Sequence, residues 1–174
     1  MRSITKTNRM STMIIDHFMM AFLLMLFEAP FMIHNILTLS SLDNGQMPEI
    51  FFGYNWYDVF VFSLYFNKDI LQGRSMAKRI FKFQVVDFKT NKPANSIKCL
   101  IRNLTILIWP VEVIMALINT ERRLGDYIAG TKLANHEVGQ NITTPNYILM
   151  IIAIPLAMLA TYLLWFYPVS LLIY

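Results

Sequence analysis

Arg9 and Asp16 are the residues whose type and spacing most suggest chemistry. Asp16 lies inside the first long apolar run, and Arg9 precedes it by seven residues, two turns of helix. On one helix the two side chains share a face, roughly 10 Å apart along the axis. A carboxylate within a membrane segment costs about 3 kcal/mol on insertion scales. It therefore needs a cationic partner, a water-filled cavity or a task. Two chemistries fit: a structural Arg9/Asp16 ion pair, or a carboxylate that alternates between protonated and ionised states. An ion or proton site would draw on further carboxylates in or beside apolar runs, namely Asp58, Asp69 and Glu112. Asp58 and Asp69 are eleven residues apart, close to three turns, which predicts one shared helix face with Tyr65 between them.

Other chemistries find little support. Cys99 is the single cysteine and can form neither an internal disulfide nor a metal cluster. His17, His34 and His136 are scattered without ligand spacing. No nucleophile–base set is visible, so the reading is of a non-enzyme with no catalytic residues, metal or cofactor. The net charge of +4 would suit nucleic acid, but the basic residues flank apolar runs, as on the cytoplasmic side of a membrane protein. No nucleic acid partner is expected. Anionic lipid head groups are the expected surface partner.

The chain that must position these groups has 174 residues, 56% hydrophobic and only 15% charged. Soluble domains carry about 25% charged residues. The apolar residues gather in runs, which reads as one compact integral membrane unit. Residues 11–37 form the first span, with a kink expected at Pro30. This run is too long, and too interrupted by Asp16 and Glu28, for a cleaved signal peptide. Residues 40–55 contain no Lys or Arg and read as the extracytoplasmic loop, with Tyr54, Trp56 and Tyr57 at the outer interface. Residues 56–71 form the second span.

Residues 72–102 hold eight Lys or Arg side chains and belong in the cytoplasm. The partial alternation over residues 82–89 predicts a short strand, and Thr90-Asn91-Lys92-Pro93 a turn. The apolar stretch 104–118 is short, has Trp109-Pro110 at its centre and is flanked by basic residues at both ends. That favours a helical hairpin dipping into the cytoplasmic leaflet and returning, with Pro110 at the bend. A plain fourth span is the rival. Residues 125–140 are then cytoplasmic, and an uncharged lipid-facing helix runs from 147 to about 166. The fold class is thus an all-α integral membrane protein. It has three transmembrane helices plus a re-entrant or interfacial hairpin, or four spans, and a short basic cytoplasmic segment able to hold a strand or hairpin.

Three patches recur in order along the chain. The first is Arg9 with Asp16. The second is Gly73-Arg74-Ser75-Met76-Ala77-Lys78-Arg79-Ile80, followed by Gln84-Val85-Val86-Asp87 and Arg102-Asn103-Leu104. The third is Arg122-Arg123-Leu124-Gly125-Asp126-Tyr127-Ile128-Ala129-Gly130-Thr131-Lys132. Together they resemble the RDD family of membrane proteins, named for one arginine and two aspartates. Arg9 and Asp16 match the arginine and first aspartate, and Asp126 is the choice for the second. The resemblance covers residues 5–135 as a membrane domain, with 136–174 as connector and C-terminal transmembrane helix. Departures are clear: Arg74, Ser75 and Ala77 replace family-typical residues, and Gly125 stands where a histidine is common. The second patch also lacks the spacing of a phosphate-binding loop.

The resemblance implies a multi-pass protein of the cytoplasmic membrane. Some relatives are described as cation/proton antiporters and one branch as a scaffold. From the residues themselves, Gly73 and Gly125 suit backbone turns, and Ala129-Gly130-Thr131 close backbone packing. Asp126 is expected to clamp the cytoplasmic segment through Arg122, Arg79 or Arg102, with Arg123 and Lys78 in the same basic patches. The favoured function is a structural or assembly component of a membrane complex, partnered by a second copy or another membrane protein. The alternative is a small cation/proton antiporter or transport subunit using Asp16, although no inverted repeat is visible.

Overall fold

The computed structural model of the protein describes residues 4–40, 56–136 and 145–168. The chain runs as α1 (Lys6–Ser40), α2 (Trp56–Phe66), α3 (Met76–Ile80), β1 (Phe83–Asp87) and α4 (Ser96–Leu104). A 3₁₀ turn (Thr105–Ile108) then leads into α5 (Trp109–Ile118), α6 (Leu124–Ala129), β2 (Thr131–Asn135) and α7 (Tyr147–Thr161). A π-helical turn, Tyr162–Phe166, extends α7. Among the described residues, three helical stretches are long and apolar enough to cross a membrane: Lys6–His34, Ser96–Ile118 and Tyr147–Leu164.

α1 contains the expected first span, and the helix continues past Pro30 to Ser40. The expected second span is cut short. α2 stops at Phe66, and turns follow, in which Gln72 and Gly73 adopt positive φ values of 58° and 68°. Asp69 lies in those turns, so Asp58 and Asp69 do not share a helix face. The backbone reversal wins over the apolar pattern because Asp69 accepts a hydrogen bond from the Ser75 amide at 3.1 Å, folding the chain back into α3. The expected extracytoplasmic loop at 41–55, with Tyr54, lies outside the described residues, as does 137–144 of the connector.

Polarity is inverted relative to a water-soluble bundle. On α1, Phe18, Phe22 and Met25 are each about two-thirds exposed, whereas Arg9, Thr12 and Asp16 are buried. Both sets follow helical spacing, one on each side. α7 buries Ala153, Ala157 and Thr161, a stripe of small residues at every fourth position, and exposes Ile148, Ile151 and Leu159. Small side chains let α7 approach α2 and α4 closely, where Phe66 and Leu100 complete an apolar cluster. α7 is therefore packed on one face as well as exposed on the others.

The stretch from α4 to α5 is not a straight rod. Glu112 Oε1 accepts hydrogen bonds from the Thr105 hydroxyl at 2.5 Å and from the Gly125 amide at 2.8 Å. In a straight helix residues 105 and 112 would stand roughly 10 Å apart along the axis. The 3₁₀ turn and Ile108, at φ −107° and ψ 47°, break the helix just before Trp109-Pro110 and let α5 fold back toward α6.

β1 and β2 form a two-stranded antiparallel sheet with Val85 opposite Leu133. The strand expected at 82–89 is β1; its partner β2 and the short helix α6 come from a segment read only as polar and cytoplasmic. Phe83, Val85, Ala94, Cys99 and Leu133 make a small core beneath the sheet. Asp87 accepts from the Lys89 and Thr90 amides, each at 2.9 Å, and so builds the expected turn.

Two glycines from the sequence patches have different jobs. A Cβ on Gly125 would lie 2.1 Å from the Arg102 carbonyl oxygen, so this glycine allows α6 to touch α4 rather than to turn. Gly130 has open space around its Cα and a φ of 64°, so it serves the left-handed cap of α6 rather than close packing. Gly125→Ala is therefore expected to cost about 3 kcal/mol or more of stability by overpacking. Gly130→Ala is expected to cost about 1 kcal/mol. Thermal unfolding of the purified variants in detergent checks the order; equal losses would contradict the close-approach reading.

Candidate functional site

Helical spacing puts Arg9 and Asp16 on the buried face of α1, as the sequence predicts. They do not pair with each other. Arg9 Nη2 lies 3.4 Å from Asp126 Oδ2 on α6, and Asp16 Oδ2 lies 2.7 Å from Lys78 Nζ on α3. Two turns of α1 separate them, and a carboxylate from α6 meets the first while an ammonium from α3 meets the second. Direct pairing would have needed side chains to span about 10 Å along the helix.

Between these two contacts runs a continuous chain of charges. Lys78 Nζ donates to Asp16, to Asp69 Oδ1 at 2.8 Å and to Ser75 Oγ at 3.1 Å, which uses all three of its protons. Ser75 caps α3, presenting its hydroxyl to the Lys78 amide as well. Arg102 links the two halves: Nη1 donates to Asp69 Oδ2 at 2.9 Å and Nε to Asp126 Oδ1 at 2.5 Å. Asp126 also accepts from the Thr131 hydroxyl at 2.7 Å and from the Arg123 amide at 3.1 Å, which caps α6.

A side branch carries Glu112 and Arg123, whose Oε2 and Nε are 2.9 Å apart. Arg123 Nη2 donates to Asn103 Oδ1 at 2.9 Å, and Asn103 in turn holds the Phe66 carbonyl at the end of α2. Arg9, Lys78, Arg102 and Arg123 thus face Asp16, Asp69, Asp126 and Glu112, four cations against four carboxylates, none more than 5% exposed. Burial on this scale is sustained only when every charge is paired.

Other sequence candidates sit apart from the network. Asp58 is buried on α2 and interacts with Glu28 of α1. Arg79 is exposed. Arg122 does not reach the Asp126 carboxylate; it donates to the Asp126 carbonyl and lies between the Phe88 and Tyr127 rings, 4.2 and 4.0 Å from their centroids. Of the three arginines proposed to clamp Asp126, Arg102 makes that contact. Gly73 accepts from the Val85 amide through its carbonyl, joining the turn after α2 to β1.

Lys68 and Thr105 have no place among the sequence expectations, and Thr131, expected only to pack, bonds Asp126. Lys68 immediately precedes Asp69 in an apolar run, which was a usable signal. Its ammonium lies 4.9 Å from the Tyr65 ring centroid, and Tyr65 is hydrogen-bonded to His17 at 2.7 Å. Arg9, Asp16, Lys68, Lys78, Arg102 and Arg123 line one cleft, closed on its apolar side by Met13, Ile106 and Trp109. Among the described residues no group of three or more metal-ligating side chains is assembled.

Compared with protein-family models, curated proteins and solved structures, the chain has no match.

The electrostatics of the groups beyond the long helices carry a pH dependence. Burial alone would raise the Asp69 carboxyl, but Lys78 and Arg102 outweigh it and hold it well below the usual carboxylate range. Asp126 is likewise opposed by burial and brought by Arg102, Arg9 and Arg123 to about 2. A carboxyl depressed on folding contributes stability that is complete above its unfolded value, near 3.8, and is lost as pH falls toward the folded one. Lys68 has the opposite leaning: burial pushes its amine from 10.5 down to about 7, with the Asp16 charge opposing. The unfolded chain then binds that proton more readily, so stability rises from about pH 7 toward 10.5. The expected profile of melting temperature falls below about pH 4, and Lys68→Met flattens its rise above pH 7. A profile unchanged by Lys68→Met would contradict the desolvation of this half-buried amine.

Proposed function

We propose that the chain is a multi-pass membrane protein of the RDD type that acts as a structural or assembly component of a membrane complex. The observation that carries this reading is the mutual pairing of the buried charges. Asp16, Asp69, Asp126 and Glu112 each lie within 3.4 Å of a buried cation, so the network is built to stay together. The residues joined this way are Arg9, Asp16 and Asp126, those of the RDD resemblance, together with Lys78 and Arg102. Insertion in a membrane is supported by the exposed apolar faces of α1, α5 and α7, which water would penalise at about 25 cal/mol per Å².

In this reading α1 and α7 cross the cytoplasmic membrane, and α2, eleven residues long, forms the membrane-embedded part of the second span. α4 and α5 enter the cytoplasmic leaflet and return, which the bend at Ile108 supports. The sheet and α6 lie on the cytoplasmic face with Lys89, Lys92 and Lys132 toward anionic head groups. The four-span topology would instead carry residues 119–123 across the membrane. Glu121 is exposed, and the single native thiol, Cys99, is buried. Glu121→Cys is expected to be labelled by a membrane-impermeant maleimide only after the cells are opened. Labelling of intact cells would refute the hairpin.

A transport role draws support from one feature, the place of Asp16 at the lined cleft. Asp16→Asn separates the two readings. For an assembly component it leaves Lys78 less well held and lowers folded yield or the recovery of a partner by about tenfold; removing one member of a buried pair costs about 3–5 kcal/mol. For an antiporter it abolishes pH-dependent cation flux in vesicles while folded yield stays normal. Normal yield and normal partner recovery in the variant would count against the assembly role.

A further inference from the structure

We propose that the cleft between α1, α5 and the turn after α2 is a binding site for a small monatomic anion of chloride size. Its charged lining is five cations, Arg9, Lys68, Lys78, Arg102 and Arg123, against the single carboxylate of Asp16. Four of those cations are matched by the four carboxylates of the network. Lys68 is the fifth, and among the described residues no carboxylate stands within ion-pair distance of it. The paired cluster is neutral, so the Lys68 ammonium adds a net positive charge to the cleft.

A second observation points the same way. Arg9 is 1% exposed, and its Nε has no hydrogen-bond acceptor. A buried guanidinium N–H left without an acceptor is costly, and an anion beside it would supply one. Tyr65 offers Lys68 only a ring face, which is a weaker contact than an anion gives.

Size then selects among anions. The enclosed part of the cleft holds about 10 Å³, room for roughly one water-sized occupant. A halide is the anion class nearest that size. Phosphate, sulfate or a lipid head group is several times larger than that space. A metal cation of similar size fits sterically but would face five positive side chains, and the nearest carboxylate is already held by Lys78 at 2.7 Å. The site is therefore selective by charge against cations and by volume against oxyanions.

The test uses the full chain purified in detergent, in halide-free sodium gluconate at constant ionic strength. Sodium chloride is titrated in, and chloride-35 line width and the thermal midpoint are read together. The expected result is a saturable response to chloride, reproduced by bromide and absent with sulfate or phosphate. Lys68→Met should weaken the response about tenfold or more, since a charge-assisted contact is lost, while Lys68→Arg retains it. Lys68→Met removes no ion pair, so its midpoint in gluconate should equal or exceed that of the native chain. No saturable chloride response from the native protein overturns the proposal without reference to any variant. Equal competition by phosphate, or undiminished binding by a folded Lys68→Met protein, overturns it as well.

Discussion

Arg102 touches both Asp69 and Asp126, and the remaining architecture is arranged around that double contact. It sits on α4, Asp69 in the turn after α2, and Asp126 on α6. Through Asp69 it reaches Lys78 and Asp16; through Asp126 it reaches Arg9. Five separate chain segments are thereby held together. In a low-dielectric interior each contact is stronger than in water, and each unpaired member is correspondingly more costly. The network is stable as a whole and unstable in part, so it acts as a test of correct assembly: all segments must arrive, or buried charge is left exposed to an apolar surround.

The close backbone contacts follow from this requirement. Arg102 can reach Asp126 only if α6 lies directly on α4, and a side chain at residue 125 would hold the two apart. Glu112 completes the same junction by binding the Gly125 amide and the Thr105 hydroxyl, which requires α5 to turn back. The bend before Trp109-Pro110, the absence of a Cβ at residue 125 and the Glu112–Arg123 approach are thus consequences of one geometric demand. Outside this junction the helices need only apolar surface and small-residue contacts, and α7 supplies both.

Much of this could be read from the sequence where a local pattern determines the outcome. Apolar length marks α1 and α7, alternation marks β1, and helical spacing places Arg9 and Asp16 on one face. Partner identity is a different kind of information. Arg9 and Asp16 are neighbours along α1, but each is nearer in space to a residue more than sixty positions away, and no local pattern encodes that path. The end of α2 was hidden because Asn67, Lys68 and Asp69 sit within apolar surroundings, where the turn is imposed by the bond from Asp69 to Ser75. Short elements such as α6 and β2 carry too few residues for a period to show. Gly125 looked like a turn because a glycine's reason for being small is visible only once its neighbour is in place.

The members of the network are not equally committed. Asp126 accepts from four donors and Asp69 from three, so protonating either would strand several groups at once. Asp16 is bonded to Lys78, and Lys78 keeps Asp69 and Ser75 if Asp16 is neutralised. A change of charge at Asp16 therefore alters the cleft by one unit and leaves the Arg102 junction intact. The same holds for Lys68, which stands outside the pairs altogether. Rigidity is concentrated at Arg102, and what freedom of charge the cluster has lies at the cleft edge, between Asp16 and Lys68. Neutralising Asp16 makes that edge more positive and neutralising Lys68 makes it less so, which sets the two residues in opposition over any anion held there.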